Sequence, residues 1–263
     1  MEKKCFFFDI DGTLTIKETG EVPLSVKETI KKLKEKGHFV CIASGRAYYK
    51  VKDFAREMGI DYVVANGGAA LADHGKLVEN EPLNREKALA LCKQAKELGC
   101  GVLVAFDDSI KVMMNDHQFI EQVGKRQEPT EYIYDPKLSF DKLENIYKVY
   151  VAISQEDEPL LTTRKELGYL RFVPSYLTFQ HDKKDQGIKK MIDYIGGRDD
   201  QVVVFGDDTN DIIMFKDEWT KIAMGNACSS LKDKADFITK ENKDDGIAYA
   251  CQYFGWIDKE EEI

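Results

Sequence analysis

The stretch FFFDIDGTLT, residues 6–15, places two carboxylates, Asp9 and Asp11, one residue apart at the end of an aromatic run. On a strand that spacing points both side chains the same way. Far downstream, VVVFGDDTND brings Asp207, Asp208 and Asp211 to the end of a second apolar run. If both runs belong to one parallel sheet, their acids can converge, and such a cluster is costly without a cation. Oxygen ligands with no His or Cys suit a hard ion, of which Mg²⁺ is the usual one. Mg²⁺ in turn commonly accompanies a phosphate. The segments GTLT and SGR offer backbone amides and hydroxyls in loops that precede helices, a common anion site. Lys184, just ahead of another helical pattern, can neutralise phosphate charge. An aspartate beside bound phosphate and metal can act as a nucleophile. A second aspartate one step further can protonate a departing alcohol and later activate water.

These residues need elements to carry them. Four apolar runs, CFFFDID, HFVCIASGR, DYVVANGG and QVVVFGDDTND, read as strands buried on both faces. The patterns VPLSVKETIKKLKEKG and AYYKVKDFAREMG between them read as helices. Alternating strand and helix predicts a parallel α/β sheet, with ligands beyond the carboxyl ends of the strands. Residues 82–182 read differently, as an inserted α+β module in a core of residues 1–81 and 183–263. There LNREKALALCKQAKELG, DHQFIEQVGKR and EPLLTTRKELG are expected as helices, and GVLVAF with IKVMMN as a hairpin. YKVYVAIS, LRFVP and YLTFQ are expected as strands.

Composition narrows the classes. The 263 residues are 43% hydrophobic, enough for a packed core. A net charge of −9 argues against general binding to nucleic acid or to an acidic membrane. The six cysteines form no CxxC pair and read as buried reduced thiols. The charged start MEKK leads only a short apolar run, and no run is long enough to span a membrane. A cytoplasmic location is expected. The tail DKEEEI reads as a solvated charge run.

DIDGTLT, ASGR, Lys184 and GDDTND, in that order, resemble the four motifs of the haloacid dehalogenase superfamily. The insert between the second and third resembles the cap of its Cof-type sugar-phosphatase branch, and the closing MGNACSSLKDKADFITKENKDDGIAYA is similar to that branch too. The resemblance implies a Rossmann-like α/β core with an inserted α+β cap. It also implies a Mg²⁺-dependent phosphatase that acts on a small phosphorylated metabolite through an aspartyl-phosphate. Carried over by position, Asp9 matches the nucleophile and Asp11 the general acid/base. Asp9, the backbone carbonyl of Asp11 and Asp207 match the metal ligands. The Ile10 amide, Ser44 and Gly45 match phosphate contacts, as do Lys184 and Asn210. Asp211 is expected to support the metal ligands or to hold Lys184. Arg46 reads equally as a substrate contact and as a solvated helix residue. Asn66 with its two glycines reads first as a tight turn, as do Gly225 and Asn226. Asp185 stands where the family often has glycine, and Asp208 where it more often has a small or neutral residue. A phosphomutase using the same aspartyl-phosphate is one alternative, and a receiver-like regulatory protein is another. The expected partner is a sugar phosphate, a phosphorylated cofactor or a polyol phosphate, bound by a monomer or homodimer, with no nucleic acid or membrane partner.

Overall fold

The computed structural model describes residues 2–259. The chain forms two compact units, one from residues up to Asn80 and from Lys183 onward, the other from Glu81–Asp182. The first unit begins with β1 (Cys5–Phe8), α1 (Leu24–Glu35), β2 (Phe39–Ala43), α2 (Tyr48–Glu57), β3 (Tyr62–Ala65), β4 (Ala70–Asp73) and β5 (Lys76–Asn80). The second contains α3 (Arg85–Glu97), β6 (Val102–Ala105), β7 (Lys111–Met114), α4 (Gln118–Val123), β8 (Glu131–Tyr134), β9 (Lys148–Val151), β10 (Tyr169–Val173) and β11 (Tyr176–Phe179). The first unit resumes with α5 (Lys184–Ile195), β12 (Val202–Gly206), β13 (Thr220–Ala223), α6 (Ser229–Lys232), β14 (Phe237–Ile238) and α7 (Gly246–Tyr253).

The core sheet runs β14-β13-β12-β1-β2-β3-β4-β5. Its first six strands are parallel, and β4 and β5 add an antiparallel hairpin at one edge. The central strand, β1, is apolar on both faces because both faces are covered. Phe6 and Phe8 pack with Val26, Ile30 and Leu33 of α1, while Phe7 packs with Ile188 and Met191 of α5. All three rings are fully buried. Each contributes about 1.5–3 kcal/mol, which anchors the strand firmly enough to hold an acidic loop at its end. The β4–β5 hairpin was not read from the sequence. It turns at His74 and Gly75, both left-handed at φ 46° and 76°, as a two-residue hairpin loop requires.

The second unit carries a six-stranded sheet, β10-β11-β9-β6-β7-β8, antiparallel except for β7 and β8. Ala88, Leu91, Cys92 and Ala95 of α3 pack on one face, and Phe119 of α4 on the other. The helix expected over EPLLTTRKELG is absent. Two short 3₁₀ segments, Glu158–Leu160 and Thr162–Glu166, stand there instead. Pro159 sits in the first turn of the first, and Leu161 leaves helical geometry at ψ 76° as it drops into the core with 0% exposure. Burial of that one side chain outweighs the weak local preference for helix.

Cys5, Cys41, Cys92, Cys100 and Cys251 are buried and unpaired, and Cys228 is half-buried. No helix among the described residues is long and apolar enough to cross a membrane. The tail DKEEEI lies, from Glu260 on, outside the described residues.

Candidate active site

Asp9 follows β1 directly and Asp207 follows β12 directly. The two strands are parallel neighbours, with Phe8 opposite Phe205, so both carboxylates emerge at the same edge of the sheet. Asp211 comes from the 3₁₀ segment Thr209–Met214 that begins just beyond Asp207. The three side chains are buried, and one oxygen from each lies within 4.8 Å of the others.

Lys184, the first residue of α5, reaches into this cluster with 2% exposure. Its Nζ donates to Asp9 Oδ1 at 2.7 Å and to Asp211 Oδ1 at 2.6 Å. The other Asp211 oxygen accepts the amides of Asp207 at 3.0 Å and Asp208 at 3.2 Å. Both Asp211 oxygens are therefore engaged, and Asp211 braces the lysine and the loop. Asp207 differs: its Oδ1 is buried with no hydrogen-bond partner among the described residues. An unpaired buried carboxylate oxygen costs more than the ~1–3 kcal/mol of a neutral polar group. The Asp207 oxygen, the nearby Asp9 carboxylate and the all-oxygen character of the set fit a hard divalent cation.

Electrostatics agree with that fit. Burial, followed by the Asp211 charge, pushes the Asp9 carboxyl up to about 8 against the pull of Lys184. Burial and Asp211 likewise push Asp207 up to about 7. Burial opposes the Lys184 charge, but Asp211 and Asp9 outweigh it and hold the ammonium above the ordinary lysine value. Asp211, at 2.6 Å, stays paired with Lys184 when Asp9 binds a proton.

A pH signature follows. Both raised carboxyls bind a proton more tightly in the folded chain than at their ordinary value of 3.8. Stability from these groups is fullest below that value and is lost as the pH rises through about 7 and 8. A shift of about three units on Asp207 corresponds to at most about 4 kcal/mol, and solvent screening reduces this to about 2–3 kcal/mol. The chelator-treated protein is expected to melt lower at about pH 8.5 than at about pH 5.5. Added Mg²⁺ at about 10 mM should raise the melting temperature more at the higher pH, where it competes with fewer protons. A flat profile with no Mg²⁺ effect at high pH would remove the cation from this cluster.

The loop after β1 is held from the other side. Gly12 takes φ 87°, and a Cβ there would lie 2.1 Å from Asp207 Oδ2, so only glycine lets the loop pass. Asn226 Nδ2 donates to the Gly12 carbonyl at 2.8 Å, and Asn242 Nδ2 to the Thr15 carbonyl at 2.7 Å. The Asn242 amide donates to Asn226 Oδ1 at 3.0 Å, closing the network. Sequence reasoning took Asn226 as a turn former and did not reach Asn242. Beside Asp207 opens a cleft of about 290 Å³ lined by Lys17, Asp208, Asn226, Cys228, Asn242 and Lys243 among others. Lys17 Nζ pairs with Asp208 at 2.7 Å and holds that carboxyl below its usual range, which neutralises the extra acid.

Asp11 is half exposed and lies outside the buried cluster; its carboxylate pairs with Arg46, whose Nε sits 3.0 Å from Oδ2. Arg46, read from sequence as substrate contact or solvated residue, is thus partnered to the expected acid/base. Ser44 follows β2, is buried, and accepts the Arg46 amide on Oγ at 3.2 Å. Ile10 is buried, and its carbonyl takes the amides of Thr13 at 3.3 Å and Thr15 at 2.9 Å. Gly45 is half-buried in the loop after β2, and Asn210 is half-buried in the Thr209–Met214 segment beside Asp211. The Thr13 hydroxyl is buried and unpartnered among the described residues, a signal the sequence did not carry.

A mostly parallel sheet that gathers three buried aspartates and a buried lysine at its carboxyl edge has the Rossmann-like architecture of an α/β enzyme with an acidic, all-oxygen site. The particular family follows from comparison. The family model for haloacid dehalogenase-like hydrolases matches residues 6–251, and the chain belongs to that family. A Bacillus subtilis protein provisionally named as the phosphatase YkrA is 32% identical over 260 residues, covering 98% of this chain and 100% of its own. A longer Streptococcus pyogenes protein, provisionally named as a bifunctional phosphatase/peptidyl-prolyl cis-trans isomerase, is 31% identical over 263 residues. That match covers 98% of this chain and 55% of the relative, so the chain spans about half of it. Among solved structures, the HAD subclass IIB sugar phosphatase BT4131 superposes with a TM-score of 0.77 at 25% identity, covering 97% of this chain and 100% of that one. These relatives place the chain among the phosphatases of the family.

Proposed function

We propose that this chain is a Mg²⁺-dependent phosphatase that hydrolyses a small phosphomonoester, a sugar phosphate or similar metabolite, through an aspartyl-phosphate on Asp9. The observation that carries the reading is the buried Asp9–Lys184–Asp211 bridge beside the unpartnered Asp207 oxygen. Asp9, Asp207 and the Asp11 carbonyl would hold the cation. When bound, Mg²⁺ supplies positive charge that offsets the carboxylates and the phosphate oxygens.

The chain's own groups account for the rest. Lys184 orients the Asp9 carboxylate and offers charge to the transferring phosphoryl oxygens. Asp9 attacks phosphorus, and the ester oxygen leaves with a proton from Asp11. Asp11 then takes a proton from water as it attacks the aspartyl-phosphate, which releases phosphate and restores Asp9. Arg46 keeps Asp11 aimed from the open side of the loop. Ser44, the Ile10 amide, Gly45 and Asn210 are the candidate phosphate contacts. The similarity to a sugar phosphatase supports sugar phosphates as the first substrates to try.

The test is phosphate release across a panel of sugar phosphates, phosphorylated cofactors and polyol phosphates, with and without Mg²⁺. The expected result is release that needs the ion and is fastest on a few members. Failure on every member with the ion present, or undiminished release with chelator, overturns the reading.

A further inference from the structure

Asn66 is 2% exposed, yet it sits in the left-handed region at φ 51°. Gly67 and Gly68 follow at φ 64° and 95°, so three consecutive residues share that hand. A buried non-glycine residue in this region persists only where its surroundings over-determine it. The surroundings are specific. The Asn66 amide donates to the Arg46 carbonyl at 2.7 Å, and the Gly67 amide to the Ser44 carbonyl at 3.1 Å. The Gly67 carbonyl accepts the Lys183 amide at 2.8 Å. At Gly68 a Cβ would lie 2.0 Å from the Lys183 carbonyl oxygen, so the backbones touch there. The Asn66 side chain donates from Nδ2 to Asn80 Oδ1 at 3.3 Å, while its own Oδ1 is buried without a partner among the described residues. Asn80 is the last residue before the chain leaves the first unit, and Lys183 is the first after it returns.

We propose that Asn66 is a positioning residue: its turn ties Ser44 and Arg46 to Asn80 and to Lys183, the neighbour of Lys184, which are the two points where the chain crosses between its units. The reaction it serves is the phosphatase activity proposed above. The backbone of the turn carries the links to Ser44, Arg46 and Lys183. The side chain carries the link to Asn80. A strain or shift at either crossing is thereby felt by the residues that contact phosphate.

Variants separate these links. Asn66→Gly keeps the left-handed backbone and removes only the side chain, whereas Asn66→Ala keeps the Cβ but loses the amide group that lets asparagine tolerate a positive φ. With p-nitrophenyl phosphate and Mg²⁺, Asn66→Gly is expected to lower kcat about five- to tenfold with KM within about twofold, as a small misplacement of positioned groups does. Asn80→Ala should match it, and the double variant should be no worse than either single one, because the two changes remove one link. Asn66→Ala should also speed hydrogen exchange at the Gly67 and Lys183 amides. Wild-type kcat in Asn66→Gly, or multiplying losses in the double variant, overturns the proposal. If the wild-type enzyme releases no phosphate, that reading fails on its own, and exchange decides this one. Faster exchange at both amides in Asn66→Ala supports it, and unchanged exchange overturns it.

Discussion

Asp9→Asn is expected to lower Mg²⁺-dependent phosphate release from p-nitrophenyl phosphate by about 10⁴- to 10⁶-fold, the range set by loss of a covalent nucleophile. The same change should leave the melting temperature equal or higher. Asparagine has nearly the shape of aspartate, and its oxygen can still accept from Lys184 Nζ, 2.7 Å from Asp9 Oδ1. It carries no charge into a site where burial and Asp211 already push the carboxyl up to about 8. Lys184 keeps Asp211 as its counter-charge at 2.6 Å. Any gain in stability should be larger at about pH 8 than at about pH 5, because wild-type Asp9 is protonated at the lower value. Two measurements decide it, turnover and a thermal melt at both pH values. Retained turnover would place the nucleophile elsewhere. A collapse of the melt would mean that the Asp9 charge, rather than Asp211, holds the lysine.

Lys184→Met should show the opposite pairing of effects. Activity should fall about 10³-fold, since a charge aimed at the transferring group is removed from a water-poor site. Stability should also fall, by about 3–5 kcal/mol near pH 8, because one partner of a buried ionic group has been deleted. Lys184 is 2% exposed, so water does not screen the loss. The penalty should shrink toward pH 5, where Asp9 and Asp207 take up protons and the uncompensated charge is smaller. Added Mg²⁺ should recover part of the stability, but not the activity, since the ion replaces charge without replacing the contact to Asp9. Denaturant melts at the two pH values with and without Mg²⁺ check this. Equal stability of wild type and variant at pH 8 would remove Lys184 from the electrostatic centre of the site.

Lys184, the first residue of α5, was legible from its place ahead of a helical pattern and in the order of the motifs. Asp9 and Asp207 were legible for another, physical reason. Buried parallel strands are continuous apolar runs, so a polar residue at their carboxyl end stands out, and those ends are where ligands bind. Gly12 was legible only as a motif letter, since its close approach to Asp207 is a three-dimensional fact. The Asp11–Arg46 pair joins loops 35 positions apart and leaves no local pattern. Asn226 and Asn242 brace the first loop from more than 200 residues downstream, which no periodicity reveals. The β4–β5 hairpin escaped because ALAD and KLVEN are short and partly exposed, with HG between them as a weak turn signal. Strand β8 escaped for a related reason: none of its residues is fully buried, so EYIY shows no apolar face. The missing helix at residues 158–166 shows a local propensity losing to one buried leucine.

The unpaired cysteines supply something else, a set of built-in reporters of opening. Cys5 and Cys41 sit in the core of the first unit, and Cys92 and Cys100 in that of the second. Burial pushes the thiols of Cys5 and Cys92 to about 11 and about 12, far from the reactive thiolate. While either core stays closed, its thiols are chemically silent. Each unit therefore carries its own clock, and the rate at which a thiol reagent reaches Cys92 relative to Cys41 reads which half of the molecule breathes first.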